Sequence, residues 1–119
     1  HGKDYYLSAK VISSRTNGSE SLNGENIKAA NLPCGATNIM TTGEEYFNIF
    51  PLWNWNRIPG TTSIQKDSFT NLNGYILATN TFAGGISDSF SGILAYQHNY
   101  KNVKANKSYF FMDDDMLRF

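Results

Sequence analysis

The pattern of apolar residues constrains this chain more than any other feature, because no segment keeps the 3.6-residue period of an amphipathic helix over a sustained stretch. Residues 4–15 (DYYLSAKVISSR) alternate instead, and one face is formed by Tyr5, Leu7, Ala9 and Val11. A period of two with aromatic and β-branched residues is typical of a β-strand. We therefore expect a chain built from strands.

Further short strands are expected at residues 37–42, 73–82 and 89–99, with punctuation at Gly84 and Gly85 and a polar turn over residues 101–106. The segment SYFFMDDDMLRF at residues 108–119 predicts a hairpin, because two apolar runs are joined across three aspartates. About five to eight short strands with Gly- and Asn-rich turns favour an all-β fold, either an antiparallel β-sandwich or part of a larger multi-sheet β-domain.

Two long irregular loops are also predicted. Residues 16–36 are dense in Asn, Gly and Ser, and residues 48–72 are interrupted by Pro51 and Pro59. Residues 43–50, which hold EEYFNIF, fit either a helical turn or a strand. Long loops in a compact domain are usually functional or disordered, and the aromatic content of the second loop argues against disorder.

The composition limits the classes of partner. Lys and Arg number 10 and so do Asp and Glu, which leaves no net charge. Binding to nucleic acid or to an anionic membrane needs an excess of Lys and Arg, so neither partner is expected. The length suits one domain with its own core, residues 1–119. We expect this domain to be truncated, since a strand begins almost at His1 and an apolar stretch runs up to Phe119.

Few residues suit metal or cofactor chemistry, and none is assigned to either. Cys34 is the only cysteine, so neither an intramolecular disulfide nor a cysteine-based zinc site is possible. We expect Cys34 to be a small buried apolar residue. His98 lies in an expected strand and is interpreted as structural or surface-exposed. The aspartates at 113–115 contain the oxygen ligands that Ca²⁺ prefers, but a solvated hairpin tip is the favoured interpretation.

Glu25 is the most informative carboxylate in the sequence. It stands in SLNGENIKAAN between Asn23 and Asn26, and Gly24 provides backbone freedom beside it. A carboxylate among amides is able to orient a cation or an imidazole. The alternative is an exposed glutamate in an Asx-type turn. The residues alone leave both interpretations open.

The stretch EEYFNIFPLWNWNRIPGTTS, residues 44–63, concentrates aromatic rings and polar groups in a loop. Trp53 and Trp55 have the same parity, so an extended backbone would present both rings to one side. Sugars stack on such rings, and Asn54, Asn56 and Arg57 would supply partners for their hydroxyl groups. A plug for the core and a platform for a sugar are both consistent with this pattern.

Five segments occur in an order and spacing that resemble a known family: YYLSAKVISSRT, NGEN, YFNIFPLWNWNRIPGTT, FAGGISDS and KSYFFMDDDMLRF. Together they look like the central β-sheet domain of polysaccharide lyase family 8, which includes chondroitin AC, hyaluronate and xanthan lyases. The resemblance covers nearly the whole chain. Its most specific part is RIPGTT after an aromatic-rich run, with NGEN upstream.

The resemblance implies a role in cleaving uronic-acid-containing polysaccharide, such as chondroitin or hyaluronan, by β-elimination. In this family an α/α-toroid domain precedes the β-domain and carries the catalytic Asn, His, Tyr and Arg. A glutamate of the NGEN-like loop holds the Arg and His, and this role maps onto Glu25. The aromatic loop is expected near the cleft, where Asn23, Asn26, Trp53, Trp55 and Arg57 are the candidate substrate-binding residues.

The leading hypothesis is thus the β-domain of a secreted or periplasmic lyase that is inactive alone. Its expected partners are an acidic, glycosaminoglycan-like polysaccharide and the N-terminal toroid of the same chain. A non-catalytic carbohydrate-binding β-sandwich module is the first alternative, and a structural interaction domain without a ligand is the second. Residues upstream of this segment would discriminate between them.

Overall fold

Strands make up the regular structure of this protein almost entirely. The computed structural model describes residues 4–112 and 116–118. In these residues one short 3₁₀ turn, Ala29–Asn31, accompanies eight strands: β1 (Tyr6–Ala9), β2 (Asn17–Ser21), β3 (Thr37–Met40), β4 (Gly74–Leu77), β5 (Ala83–Ser87), β6 (Gly92–Tyr100), β7 (Val103–Met112) and β8 (Met116–Arg118). No helix of the described residues is long and apolar enough to cross a membrane.

The strands form three antiparallel sheets, which confirms the predicted all-β fold class. β1 pairs with β3, β2 pairs with β4, and the remaining strands form a four-stranded sheet in the order β5-β6-β7-β8. The longest pairing joins β6 to β7, from Gly92↔Phe111 to Tyr100↔Val103. Lys101 and Asn102 both have positive φ angles, 50° and 65°. Such a two-residue connection matches the right-handed twist of the paired strands.

Several predicted boundaries were wrong. Loop 16–36 contains β2 and the 3₁₀ turn, and Gly84 and Gly85 lie inside β5 instead of interrupting a strand. β2 has the sequence NGSES and β5 has AGGIS. Neither shows apolar alternation, so their strand conformation depends on pairing with β4 and β6. The predicted polar turn over 101–106 is only two residues long, because β7 begins at Val103.

The predicted C-terminal hairpin is confirmed by the antiparallel pairing of β7 with β8, in which Met112 faces Met116. Its tip, Asp113 to Asp115, lies outside the described residues, and so does His1. The predicted strand at 37–42 is confirmed as β3, while the predicted strand at 4–15 is regular only over β1.

The core has an aliphatic part and an aromatic part. The aliphatic part contains Ile12, Ala30, Ile76 and Ala78, with Phe69, Leu72 and Tyr100 packed against it. The aromatic part lies on the inner face of the β6–β7 pair, where Tyr96 and Tyr109 are each 1% exposed. Cys34 is fully buried, as predicted, and this burial raises the pKa of its thiol to about 11.

His98 is a buried histidine of β6 that lies next to this aromatic part. It is 2% exposed, and neither Nδ1 nor Nε2 has a hydrogen-bond partner among the described residues. Its ring meets the Tyr96 ring edge-on, with centroids 6.0 Å apart. Desolvation by burial lowers the pKa of His98, and the positive charge of Lys107 lowers it further. The imidazole is therefore held neutral.

We expect His98 to make the fold less stable in mild acid. The native pKa is lower than the unfolded pKa of about 6.5, so the unfolded chain binds the proton first. The stability contribution is complete above that unfolded pKa and is lost as the pH falls through it toward the native value. His98→Phe should weaken this dependence, as measured by urea unfolding from about pH 7.5 to about pH 5.5. Equal pH dependence in the two proteins would contradict this prediction.

Candidate functional site

The loop that carries Glu25 runs from β2 to the 3₁₀ turn and is shaped by its own polar groups. The Ser21 hydroxyl donates to the Glu25 carbonyl oxygen at 2.6 Å, and Asn26 Nδ2 donates to the Glu20 carbonyl oxygen at 3.1 Å. Gly24 and Asn26 have positive φ angles of 81° and 57°. This left-handed region favours Gly and tolerates Asn, so NGEN matches the backbone that the loop requires.

The Glu25 carboxylate itself is exposed and unpaired. It makes no hydrogen bond and no ion pair with any residue in the described part of the chain, including the nearby Lys28. The backbone N–H of Glu25 donates to Asn23 Oδ1 at 3.4 Å. Asn23 and Asn26 therefore shape the loop, and the carboxylate remains free for a group outside the described residues.

The aromatic loop, residues 44–62, is built around a ring cluster formed by Tyr46, Phe50, Trp53 and Trp55. The two tryptophan rings meet edge-on with centroids 5.2 Å apart, and Phe50 lies 5.8 Å from Trp53 and 5.7 Å from Trp55. Trp55 Nε1 donates to the Phe50 carbonyl oxygen at 3.2 Å. Both tryptophans are half-buried, so the cluster supports the loop and still leaves part of each ring accessible.

The polar side chains between the tryptophans and Ile58 differ in what they contact. Asn54 Oδ1 accepts from the backbone of Asn56 at 3.1 Å, and Asn56 Nδ2 donates to the Lys66 carbonyl oxygen at 2.9 Å. Arg57 is exposed and uses Nε to donate to Gln65 Oε1 at 3.2 Å. Its terminal Nη groups make no hydrogen bond or ion pair with the described residues.

Backbone pairing holds the aromatic loop against residues 34–37, which connect the 3₁₀ turn to β3. The Thr62 N–H donates to the Cys34 carbonyl oxygen at 2.9 Å, and the Thr37 N–H donates to the Pro59 carbonyl oxygen at 3.0 Å. Asn31 Nδ2 adds a bond to the Trp55 carbonyl oxygen at 3.0 Å. These bonds join the aromatic loop to Asn31, Cys34 and Thr37, and none of them involves Glu25.

Glu45 is a residue whose importance the sequence did not reveal. Its carboxylate accepts from Thr41 N at 2.7 Å, Thr41 Oγ1 at 2.8 Å, Thr42 N at 2.8 Å and Gly43 N at 3.0 Å. These donors, chiefly the backbone N–H groups of Thr42 and Thr41, hold the pKa of Glu45 well below its usual range. Residues 43–50 thus form turns, neither a helix nor a strand. A carboxylate just after Thr-Thr-Gly is the available sequence signal.

No group of three or more His, Cys, Asp or Glu side chains able to hold a metal occurs among the described residues. The aspartates at 113–115 fall outside that part of the chain.

Comparison with known proteins assigns the family. The model of the polysaccharide lyase family 8 super-sandwich domain matches residues 1–118, and the chain belongs to this family. Chondroitinase-AC from Pedobacter heparinus is 41% identical over 116 residues, which cover 95% of this chain and 16% of that protein. A solved structure of chondroitinase AC lyase, studied as oligosaccharide complexes, superposes with a TM-score of 0.87 at 41% identity and covers 92% of this chain and 17% of that one. The family predicted from the five sequence segments is confirmed.

We expect Glu45→Ala to loosen the first turn of the aromatic loop, because three backbone N–H groups lose their shared acceptor. Hydrogen exchange should become faster at Thr41, Thr42 and Gly43. Glu44→Ala is the matched control, since the Glu44 side chain is exposed and makes no hydrogen bond or ion pair with a described residue. Equal exchange in both variants would contradict the assigned role.

Proposed function

We propose that this chain is the central β-domain of a larger lyase that cleaves uronic-acid-containing, chondroitin- or hyaluronan-like polysaccharide by β-elimination. The observation that carries the proposal is the match of residues 1–118 to the family 8 super-sandwich domain, together with 41% identity to chondroitinase-AC. The chain spans only 16% of the length of that relative. The remaining parts of the proposed enzyme are therefore supplied by other segments.

The described residues explain why a second domain is needed for the chemistry. β-Elimination requires neutralisation of the uronate carboxylate, a base for the C5 proton and an acid for the leaving oxygen. His98 is buried and cannot reach a substrate. We assign the base and acid to the N-terminal α/α-toroid, and Glu25 to the role of holding the arginine and histidine of that domain. Its exposed, unpaired carboxylate supports this assignment.

The aromatic loop has the groups that an acidic sugar chain would contact. Trp53 and Trp55 offer partly accessible ring surface, and the free Nη groups of Arg57 are suited to bidentate pairing with a carboxylate. Asn23 and Asn26 lie exposed beside Glu25. We propose that these residues bind substrate and orient it toward the toroid.

Exposed apolar side chains on the same loop support contact with another domain. Phe47 is 78% exposed, Phe50 56% and Leu52 89%. Clustered exposure of this kind typically marks an interaction surface, and the toroid is the proposed occupant. We also propose a secreted or periplasmic location, because a polysaccharide too large to cross a membrane is degraded there.

A non-catalytic carbohydrate-binding module is the second candidate function. The ring cluster and the free Arg57 donors favour it, because both would serve binding without any base or acid. A lyase would cleave the polysaccharide, whereas a carbohydrate-binding module would bind it without cleavage.

We expect the full-length protein to release unsaturated uronate from chondroitin or hyaluronan, and the 119-residue chain alone to release none. The expectation follows because His98 is buried and the base and acid are assigned to the toroid. Absorbance of the unsaturated product measures the activity of the full-length protein and of the 119-residue chain, with heat-treated protein as the control. Product formed by the 119-residue chain would refute the division of labour. Binding without cleavage by the full-length protein would favour the module.

We expect Glu25→Gln in the full-length lyase to lower kcat by about 10–100-fold with little change in KM, because the variant keeps the shape but loses the charge that fixes the catalytic groups. Glu20→Gln is the matched control, since the Glu20 side chain is exposed on the adjacent strand and makes no hydrogen bond or ion pair with a described residue. Melting temperature is measured alongside. A kcat within about twofold of wild type would return Glu25 to an ordinary turn residue.

A further inference from the structure

Lys107 is a half-buried cation on the inner face of β7 that contacts the aromatic loop. Its Nζ donates to the carbonyl oxygen of Gly60, a residue 47 positions earlier in the chain. Gly60 lies between Pro59 and Thr62, whose backbone groups pair with Thr37 and Cys34. Lys107 thus contacts the point where the aromatic loop meets residues 34–37, which follow the 3₁₀ turn.

The space around Lys107 is shaped by Gly35. A Cβ atom at Gly35 would lie 2.7 Å from Lys107 Nζ, 2.7 Å from the Tyr96 hydroxyl and 2.8 Å from the Tyr109 hydroxyl. The φ angle of Gly35 is also positive, 97°. Both the close approach and the backbone angle therefore require glycine at this position. The Tyr109 hydroxyl donates to the Gly35 carbonyl oxygen at 3.2 Å. Gly35 and Gly60 are therefore both bonded to side chains of β7.

Lys107 does not form an ion pair with a carboxylate of the described residues. Its Nζ lies 5.8 Å from the centroid of the uncharged Tyr109 ring. Desolvation lowers the pKa of Lys107. A half-buried charge is unfavourable unless it gains strong hydrogen bonds, and Gly60 accepts the bond that Nζ makes.

We propose that Lys107 is a positioning residue, which fixes the exit of the aromatic loop and thereby places Trp53, Trp55 and Arg57 against the sugar chain. The kinetic part of this inference rests on the proposed lyase function. The structural part, that Lys107 holds Gly60 and the paired segments around it, stands without that function.

The contacts also indicate which kinetic constant Lys107 controls. The Glu25 loop is held by the Ser21–Glu25 and Asn26–Glu20 bonds and by the Leu72 N–H, which donates to the Ile27 carbonyl oxygen at 2.6 Å. Lys107 takes part in none of these. Loss of Lys107 therefore displaces substrate-binding groups and leaves the Glu25 loop in place, so KM should change more than kcat.

The test compares Lys107→Met with Lys104→Met in the full-length protein. Lys104 lies on the same strand, but its side chain is exposed and makes no hydrogen bond or ion pair with the described residues. Hydrogen exchange at Thr37 and Thr62 is expected to become faster in Lys107→Met only. KM for the polysaccharide is expected to rise by about tenfold, with kcat within about twofold of wild type.

Three outcomes decide the proposal. Unchanged exchange at Thr37 and Thr62 overturns it, whatever the activity. A loss of kcat in proportion to unfolded protein, with KM unchanged, overturns it as well, since that is the effect of a purely structural residue.

If Lys107→Met does not fold, Lys107→Arg keeps a cationic donor and should retain exchange protection and KM, whereas Lys107→Gln should lose both. Equal behaviour of these two variants overturns the proposal. An inactive wild-type protein would refute the lyase function, and the exchange experiment would still decide the role of Lys107.

Discussion

The site depends on the backbone pairing of two irregular segments, residues 34–37 and 59–62. Two hydrogen bonds of 2.9 and 3.0 Å join them. Strand β7 is bonded to both segments, through Lys107 to Gly60 and through Tyr109 to Gly35. An irregular loop has no ladder of its own to satisfy its backbone groups, so it must find partners elsewhere or remain solvated. Here residues 34–37 pair with residues 59–62. This pairing fixes the position of one segment relative to the other.

The two loops are stabilised in different ways. The Glu25 loop uses short polar side chains and left-handed backbone at Gly24 and Asn26. The aromatic loop uses a carboxylate at its first turn and a cluster of four rings in its middle. Both leave a charged group without a partner in the described residues, the Glu25 carboxylate and the Arg57 Nη groups. In the proposed lyase, these two groups are assigned to contacts with the toroid and with the substrate.

This arrangement fits a domain that orients substrate and catalytic groups supplied by another domain. Its histidine at position 98 is buried and held neutral, and the thiol of Cys34 is buried with a raised pKa. Neither is able to meet a substrate. In the proposed lyase, binding and positioning are assigned instead to the exposed Glu25 carboxylate, the Arg57 guanidinium and the half-buried tryptophans. In the proposed lyase the division between domains follows from this distribution of groups.

The sequence by itself determined the all-β class, the family, the β3 strand, the C-terminal hairpin and the burial of Cys34, because each depends on local periodicity, turn chemistry or residue type. Tertiary structure alone decided that NGSES and AGGIS are strands, since those segments lack apolar alternation and acquire their conformation from β4 and β6. It also decided the partner of Lys107. The bond from Lys107 to Gly60 spans 47 residues, and no local pattern predicts which carbonyl oxygen a distant strand will meet.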